Sequence, residues 1–123
     1  MEKKKMLVID DNPVILRLSS SLLTALGYDV VTAENGVEGL NLAELEQPDL
    51  IFLDIILPQM HGFEVCRTLK EGKKTKDIPV VIVSGTGLED VAASEPDLKA
   101  DAVLSKPFGR KELEKVINQV LKA

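Results

Sequence analysis

Tryptophan is absent from this 123-residue chain, and one tyrosine and three phenylalanines are its whole aromatic set. So sparse a set leaves little for the stacking platforms that hold single-stranded nucleic acid. A single cysteine, Cys66, excludes an internal disulfide and is compatible with the cytoplasm. With Val65 and Leu69 nearby it reads as a small core filler, not a nucleophile. Basic charge is also scarce. Against 20 Asp and Glu the chain sets only 15 Lys and Arg, for a net charge of −5, the wrong sign for a general grip on nucleic-acid phosphates. Lys3, Lys4 and Lys5 form the only basic run at the start, and the apolar stretch behind them is too short for a signal-peptide core or a membrane span. They read as a solvated strand entrance. The one histidine, His61, lies in a loop without a partner at metal-ligand spacing, so nothing offers the Cys and His set that zinc favours.

What is present is a regular alternation. The length fits one domain, residues 1–123. Short apolar runs alternate with helix-length amphipathic segments five times, the pattern of a parallel sheet covered on both faces. Strands are expected at Lys5 to Ile9, Tyr28 to Ala33, Asp49 to Leu53, Ile78 to Val83 and Ala102 to Leu104. Pro13 opens a helix with Val14, Ile15, Leu18, Leu22 and Leu26 on one side, ending at Gly27. Further helices are expected at Val37 to Glu46 and Phe63 to Lys70, with a short one at Leu88 to Ser94 before Pro96. The last helix carries Leu113, Val116, Ile117, Val120 and Leu121 at the clearest 3.6-residue spacing in the chain.

Four of the apolar runs stop at residues able to handle phosphate or a metal. Leu7-Val8-Ile9 runs into Asp10-Asp11, Leu50 to Leu53 into Asp54, Val80 to Val83 into Ser84, and Ala102-Val103-Leu104 into Ser105-Lys106-Pro107. Parallel strands joined by right-handed crossovers place these ends on one rim, where open α/β sheets bind ligands. Three carboxylates in one pocket repel one another unless a cation joins them. All-oxygen ligands suit magnesium. A carboxylate can also attack phosphorus, and that chemistry needs positioning and charge neutralisation more than acid-base help. Lys106 and Ser84 are the right types to meet the phosphoryl oxygens.

This ordered set closely resembles the receiver domain of two-component response regulators, over essentially the whole chain. The matching pieces are Asp10-Asp11, Asp54-Ile55-Ile56-Leu57-Pro58 with Gly62, Ile78-Pro79-Val80 with Ser84, and Lys106-Pro107-Phe108. The resemblance implies a doubly wound (βα)5 fold, with a five-stranded parallel sheet in the flavodoxin-like order 2-1-3-4-5. It implies phosphorylation of Asp54 by a sensor histidine kinase or a histidine phosphotransfer protein. It further implies Mg2+ held by Asp11, Asp54 and the Ile56 carbonyl with Asp10 assisting through water, Lys106 paired with the phosphoryl group, and Ser84 as switch hydroxyl. The Lys106-Pro107 peptide is expected to be cis, a form that costs little only before proline. The domain itself is expected to touch neither nucleic acid nor membrane.

Three positions depart from the family pattern. Val103 stands where the family places an aromatic switch residue, Gly85 where it places alanine, and Pro96 where the fourth helix runs. Rival readings are a magnesium phosphohydrolase with an aspartyl-phosphate intermediate, a flavin-binding module, and a receiver-shaped adaptor that is never phosphorylated. The phosphohydrolase would want a second Asp two positions after the nucleophile, where this chain has Ile56. The flavin module would want a Ser/Thr-rich loop where it has Asp10-Asp11-Asn12-Pro13.

Overall fold

The computed structural model describes residues 3–55, 57, 60–85 and 99–121. Its elements, in chain order, are β1 (Lys5–Ile9), α1 (Pro13–Ala25), β2 (Asp29–Ala33), α2 (Gly36–Glu46), β3 (Leu50–Asp54), α3 (Gly62–Glu71), β4 (Val80–Ser84), β5 (Ala102–Ser105) and α4 (Arg110–Val120). The expected helix at Leu88 to Ser94 falls outside the described residues.

All five strands run parallel, in the order β2-β1-β3-β4-β5. The two-residue period of a strand sorts their side chains onto two faces. Leu7, Ile9, Ile51, Leu53, Val80 and Ile82 form one core with Ala43 of α2 and Val65, Cys66 and Leu69 of α3. Met6, Val8, Leu50, Phe52, Val81 and Val83 form the other with Leu16 and Leu23 of α1 and Leu113, Val116 and Ile117 of α4. Burial on both faces explains why the central strands are apolar throughout. Helix α2 lies close to the sheet because it meets β1 through glycine: a Cβ at Gly39 would come within 2.5 Å of the Ile9 side chain.

Local signals set the boundaries. The Asn12 side chain caps α1, its Oδ1 accepting from the amides of Val14 at 2.9 Å and Ile15 at 3.4 Å. Gly27 then ends the turn at φ +97°, a left-handed conformation that glycine adopts without strain. One expectation needs correction. In α1 the inward stripe is Leu16, Ser19 and Leu23, whereas Val14 and Leu18 are 58% and 45% exposed. Of the expected side, Leu22 and Leu26 still pack partly buried against this core; the helix carries apolar residues on more than one side, and periodicity alone misplaced the centre of the buried stripe.

Opposite the carboxyl rim, a clamp ties the sheet's other edge. Lys70 Nζ donates to the Ile78 carbonyl at 3.0 Å and to Asp101 Oδ2 at 2.8 Å, and Asp101 Oδ2 also accepts from the Val80 amide at 2.8 Å. Helix α3 and the starts of β4 and β5 are thereby joined.

Candidate functional site

Strand ends deliver the site. Asp10 follows β1, its amide donating to the Ala33 carbonyl at 3.0 Å, as if β1 and β2 were paired one residue further. Asp54 closes β3 in register with Val83, and Ser84 closes β4 in register with Ser105. The Lys106 amide donates to the Ser84 carbonyl at 2.8 Å, so the chain beyond β5 remains tied to the end of β4. The Lys106-Pro107 peptide is cis.

Asp10, Asp11 and Asp54 converge as expected: each offers a carboxylate oxygen within 4.8 Å of the others. Asp10 and Asp54 are 2% and 8% exposed, while Asp11 is open to solvent. Asp10 is fixed on both oxygens. Its Oδ1 accepts from the Asn12 amide at 2.9 Å, and its Oδ2 faces Lys106 Nζ at 3.3 Å. The same ammonium lies 3.3 Å from Asp54 Oδ2. Burial on its own would lower the Lys106 pKa, but the Asp54 and Asp10 carboxylates more than offset it, and the pKa is raised. The lysine is thus held charged between the two buried acids. Ser84, 3% exposed, sits at the adjoining strand end.

Two residues matter more here than their sequence neighbourhoods suggest. Gly62 opens α3 against the end of β3: its amide donates to the Ile55 carbonyl at 2.7 Å, and a Cβ there would overlap the Asp54 and Ile55 backbone. Only the glycine after a proline-containing loop hints at this. His61, exposed as expected, caps α3, its Nδ1 accepting from the Phe63 amide at 3.1 Å. Val103 is half-buried against the core on the α3 side. Cys66 is fully buried, and burial pushes its thiol up to about 11, far from nucleophile range. Ile56 lies outside the described residues.

The donor set can hold a hard divalent cation. Oxygens across an octahedral magnesium shell of about 2.1 Å radius stand roughly 3 to 4.2 Å apart. A triad spanning 4.8 Å therefore needs only a small contraction. With no cation bound, three carboxylates face one ammonium, so an excess of negative charge remains. Asp11 is the member Lys106 does not pair with. Asp11→Asn is therefore expected to raise the melting temperature in chelator, by about 0.5–1 kcal/mol of stability. Thermal denaturation of both proteins in chelator checks this; equal or lower melting of the variant would count against a repulsive pocket.

A rim of this kind, on a sheet of this order, defines a signalling receiver. The chain belongs to the response regulator receiver domain family, which matches residues 6–118. Among its relatives, a probable transcriptional regulator ycf27 of Cyanophora paradoxa is 41% identical across 99% of this chain and 50% of its own length. The alkaline phosphatase synthesis transcriptional regulatory protein PhoP of Bacillus subtilis is 38% identical across 97% of this chain and 49% of its own. The chain spans about half the length of these curated relatives. Among solved structures, the chemotaxis protein CheY4 of Vibrio cholerae superposes with a TM-score of 0.91 at 28% identity, covering 97% of this chain and 99% of that one. A CheY-like receiver domain protein from Methanospirillum hungatei gives 0.86 at 29% identity, covering 96% and 93%.

Proposed function

We propose that this receiver takes a phosphoryl group on Asp54 from a phosphohistidine donor, with Mg2+ in the acidic pocket, and thereby changes its affinity for a protein target. The observation that carries the reading is Lys106 Nζ at 3.3 Å from the carboxylates of both Asp10 and Asp54. A cation already aimed at the nucleophile's oxygen is aimed at the oxygens of any phosphoryl group attached there.

In the step proposed, an Asp54 oxygen attacks phosphorus in line with the donor nitrogen. The new O–P bond forms as the N–P bond breaks, and the imidazole leaves with the electron pair. Lys106 balances the charge on one phosphoryl oxygen, and Ser84 donates its hydroxyl to another. Asp10, Asp11 and Asp54 would hold the magnesium with the Ile56 carbonyl, and the bound ion supplies neutralisation of the approaching phosphoryl charge. Water attack on the acyl phosphate later restores the carboxylate and releases phosphate. The cycle alters the protein itself, not an external substrate. The phosphohydrolase reading lacks its second acid, since Ile56 occupies that position.

Among the described residues no helix is long and apolar enough to cross a membrane, and a cytoplasmic site of action fits a kinase donor. With acetyl phosphate and Mg2+, mass spectrometry is expected to find one added phosphoryl group. Excess chelator or Asp11→Ala should each cut that labelling at least ~100-fold, the scale of a lost metal or electrostatic clamp. Full-rate labelling in chelator would refute the metal's part.

A further inference from the structure

A second polar feature lies between α1 and the outer strand β2, and none of its lining residues belongs to the acidic rim. Leu16, Arg17, Ser20, Ser21 and Thr32 line an open depression of about 290 Å3. Arg17, Ser20 and Ser21 are spaced i, i+3 and i+4, one face of a helix. Thr32 comes from β2, where it pairs in register with Val8. Every polar group lining the depression can donate a hydrogen bond, and no carboxylate lines it. In a chain of net charge −5 that is a local exception. Among the described residues Arg17 forms no ion pair.

The sequence of α1 supports a role for these groups. Ser19-Ser20-Ser21 occupies the helix interior, where each serine is a poorer choice than alanine because its hydroxyl competes for backbone partners. Ser19 is buried and Ser20 half-buried, while Ser21 is exposed. A run that weakens its own helix and places two hydroxyls beside an unpaired guanidinium breaks a local rule, and such breaks concentrate at functional positions.

We infer that this depression binds a small phosphate monoester. The guanidinium fork matches two phosphate oxygens at once, and three hydroxyls can serve the remaining acceptor sites of the group. The volume exceeds a bare phosphate ion and approaches the lower end of small-molecule pockets, ~300 Å3. Leu16 offers an apolar wall for the carrier of the phosphate. One arginine on an acidic protein suits a ligand with one phosphate; a polyanion such as nucleic acid would be repelled by the rest of the surface. The lining of the site includes neither Asp54 nor Lys106, so binding is expected without phosphorylation.

The test is an amide NMR titration of the whole chain in chelator, using glycerol 3-phosphate, inorganic phosphate and glycerol as probes. Glycerol 3-phosphate should shift the amides of Arg17, Ser20, Ser21 and Thr32 saturably, with Kd on the order of 1 mM. Arg17→Gln should weaken binding at least ~10-fold, since a charged hydrogen-bond partner is removed. Because Arg17 is exposed, the remaining spectrum should be unchanged, which certifies the variant's fold. Glycerol should do nothing. Non-saturating shifts, an unaffected Arg17→Gln, or shifts centred on Asp10, Asp54 and Lys106 would each overturn the site. Equal affinity for inorganic phosphate would overturn the ester and leave only a free-anion site.

Discussion

Asp54→Ala is expected to take up no phosphoryl group from acetyl phosphate and Mg2+, a complete loss, although two other carboxylates stand in the same pocket. Geometry separates the three. Asp10 follows the neighbouring strand β1 and is tied back to the start of α1 by the Asn12 amide. Asp11 is exposed and is not paired with Lys106, so a phosphoryl group there would lack the ammonium. Asp54 alone joins a place at the end of the central strand to Lys106 at 3.3 Å. Its phosphorylated form should be an acyl phosphate, cleaved by hydroxylamine. Intact-mass measurement of parent and variant decides the matter: any labelling of Asp54→Ala that hydroxylamine removes would move the site to Asp10 or Asp11.

Much of this was legible in the sequence, for reasons that can be assigned. Strands buried on both faces announce themselves as unbroken apolar runs, and β1 is where Lys5 to Ile9 placed it. The starts of β3 and β4 lie one and two residues later than expected, at Leu50 and Val80; at β4 the intervening Pro79 has no amide hydrogen to give to a ladder. The strand order came from the family resemblance, since runs of similar composition do not reveal which neighbours pair. Asp10, Asp11, Asp54, Ser84 and Lys106 were legible because each sits at the same end of its strand. The phase of α1 was not, because Val14 and Leu18 are apolar yet exposed. Nor could spacing show that one lysine bridges two acids: that depends on where the chain goes after Ser105, which the hydrogen bond from the Lys106 amide to the Ser84 carbonyl fixes. Val103 has no ring to rotate and is half-buried against the core, and we propose that any conformational message leaves instead through the backbone after Ser84.

The second large effect is expected at Gly62, where nothing chemical happens. Gly62→Ala should lower stability by about 2–3 kcal/mol, the upper range of overpacking costs. The added methyl would overlap the backbone of Asp54 and Ile55, and backbone cannot rotate aside as a side chain can. Alanine's better helix propensity returns about 1 kcal/mol at most, so the steric loss decides the sign. Relief requires α3 to move off the end of β3, which drags on Asp54, the proposed nucleophile. Displacements near 1 Å can cost about 100-fold in a positioned reaction, so labelling of the folded variant should slow by at least ~10-fold. Gly85→Ala is the internal control, because among the described residues a Cβ there meets nothing within 4 Å. Urea denaturation and acetyl phosphate labelling of both variants give the answer. If Gly62→Ala matches Gly85→Ala in stability and labelling rate, the close approach of α3 to the Asp54 backbone does not position the nucleophile.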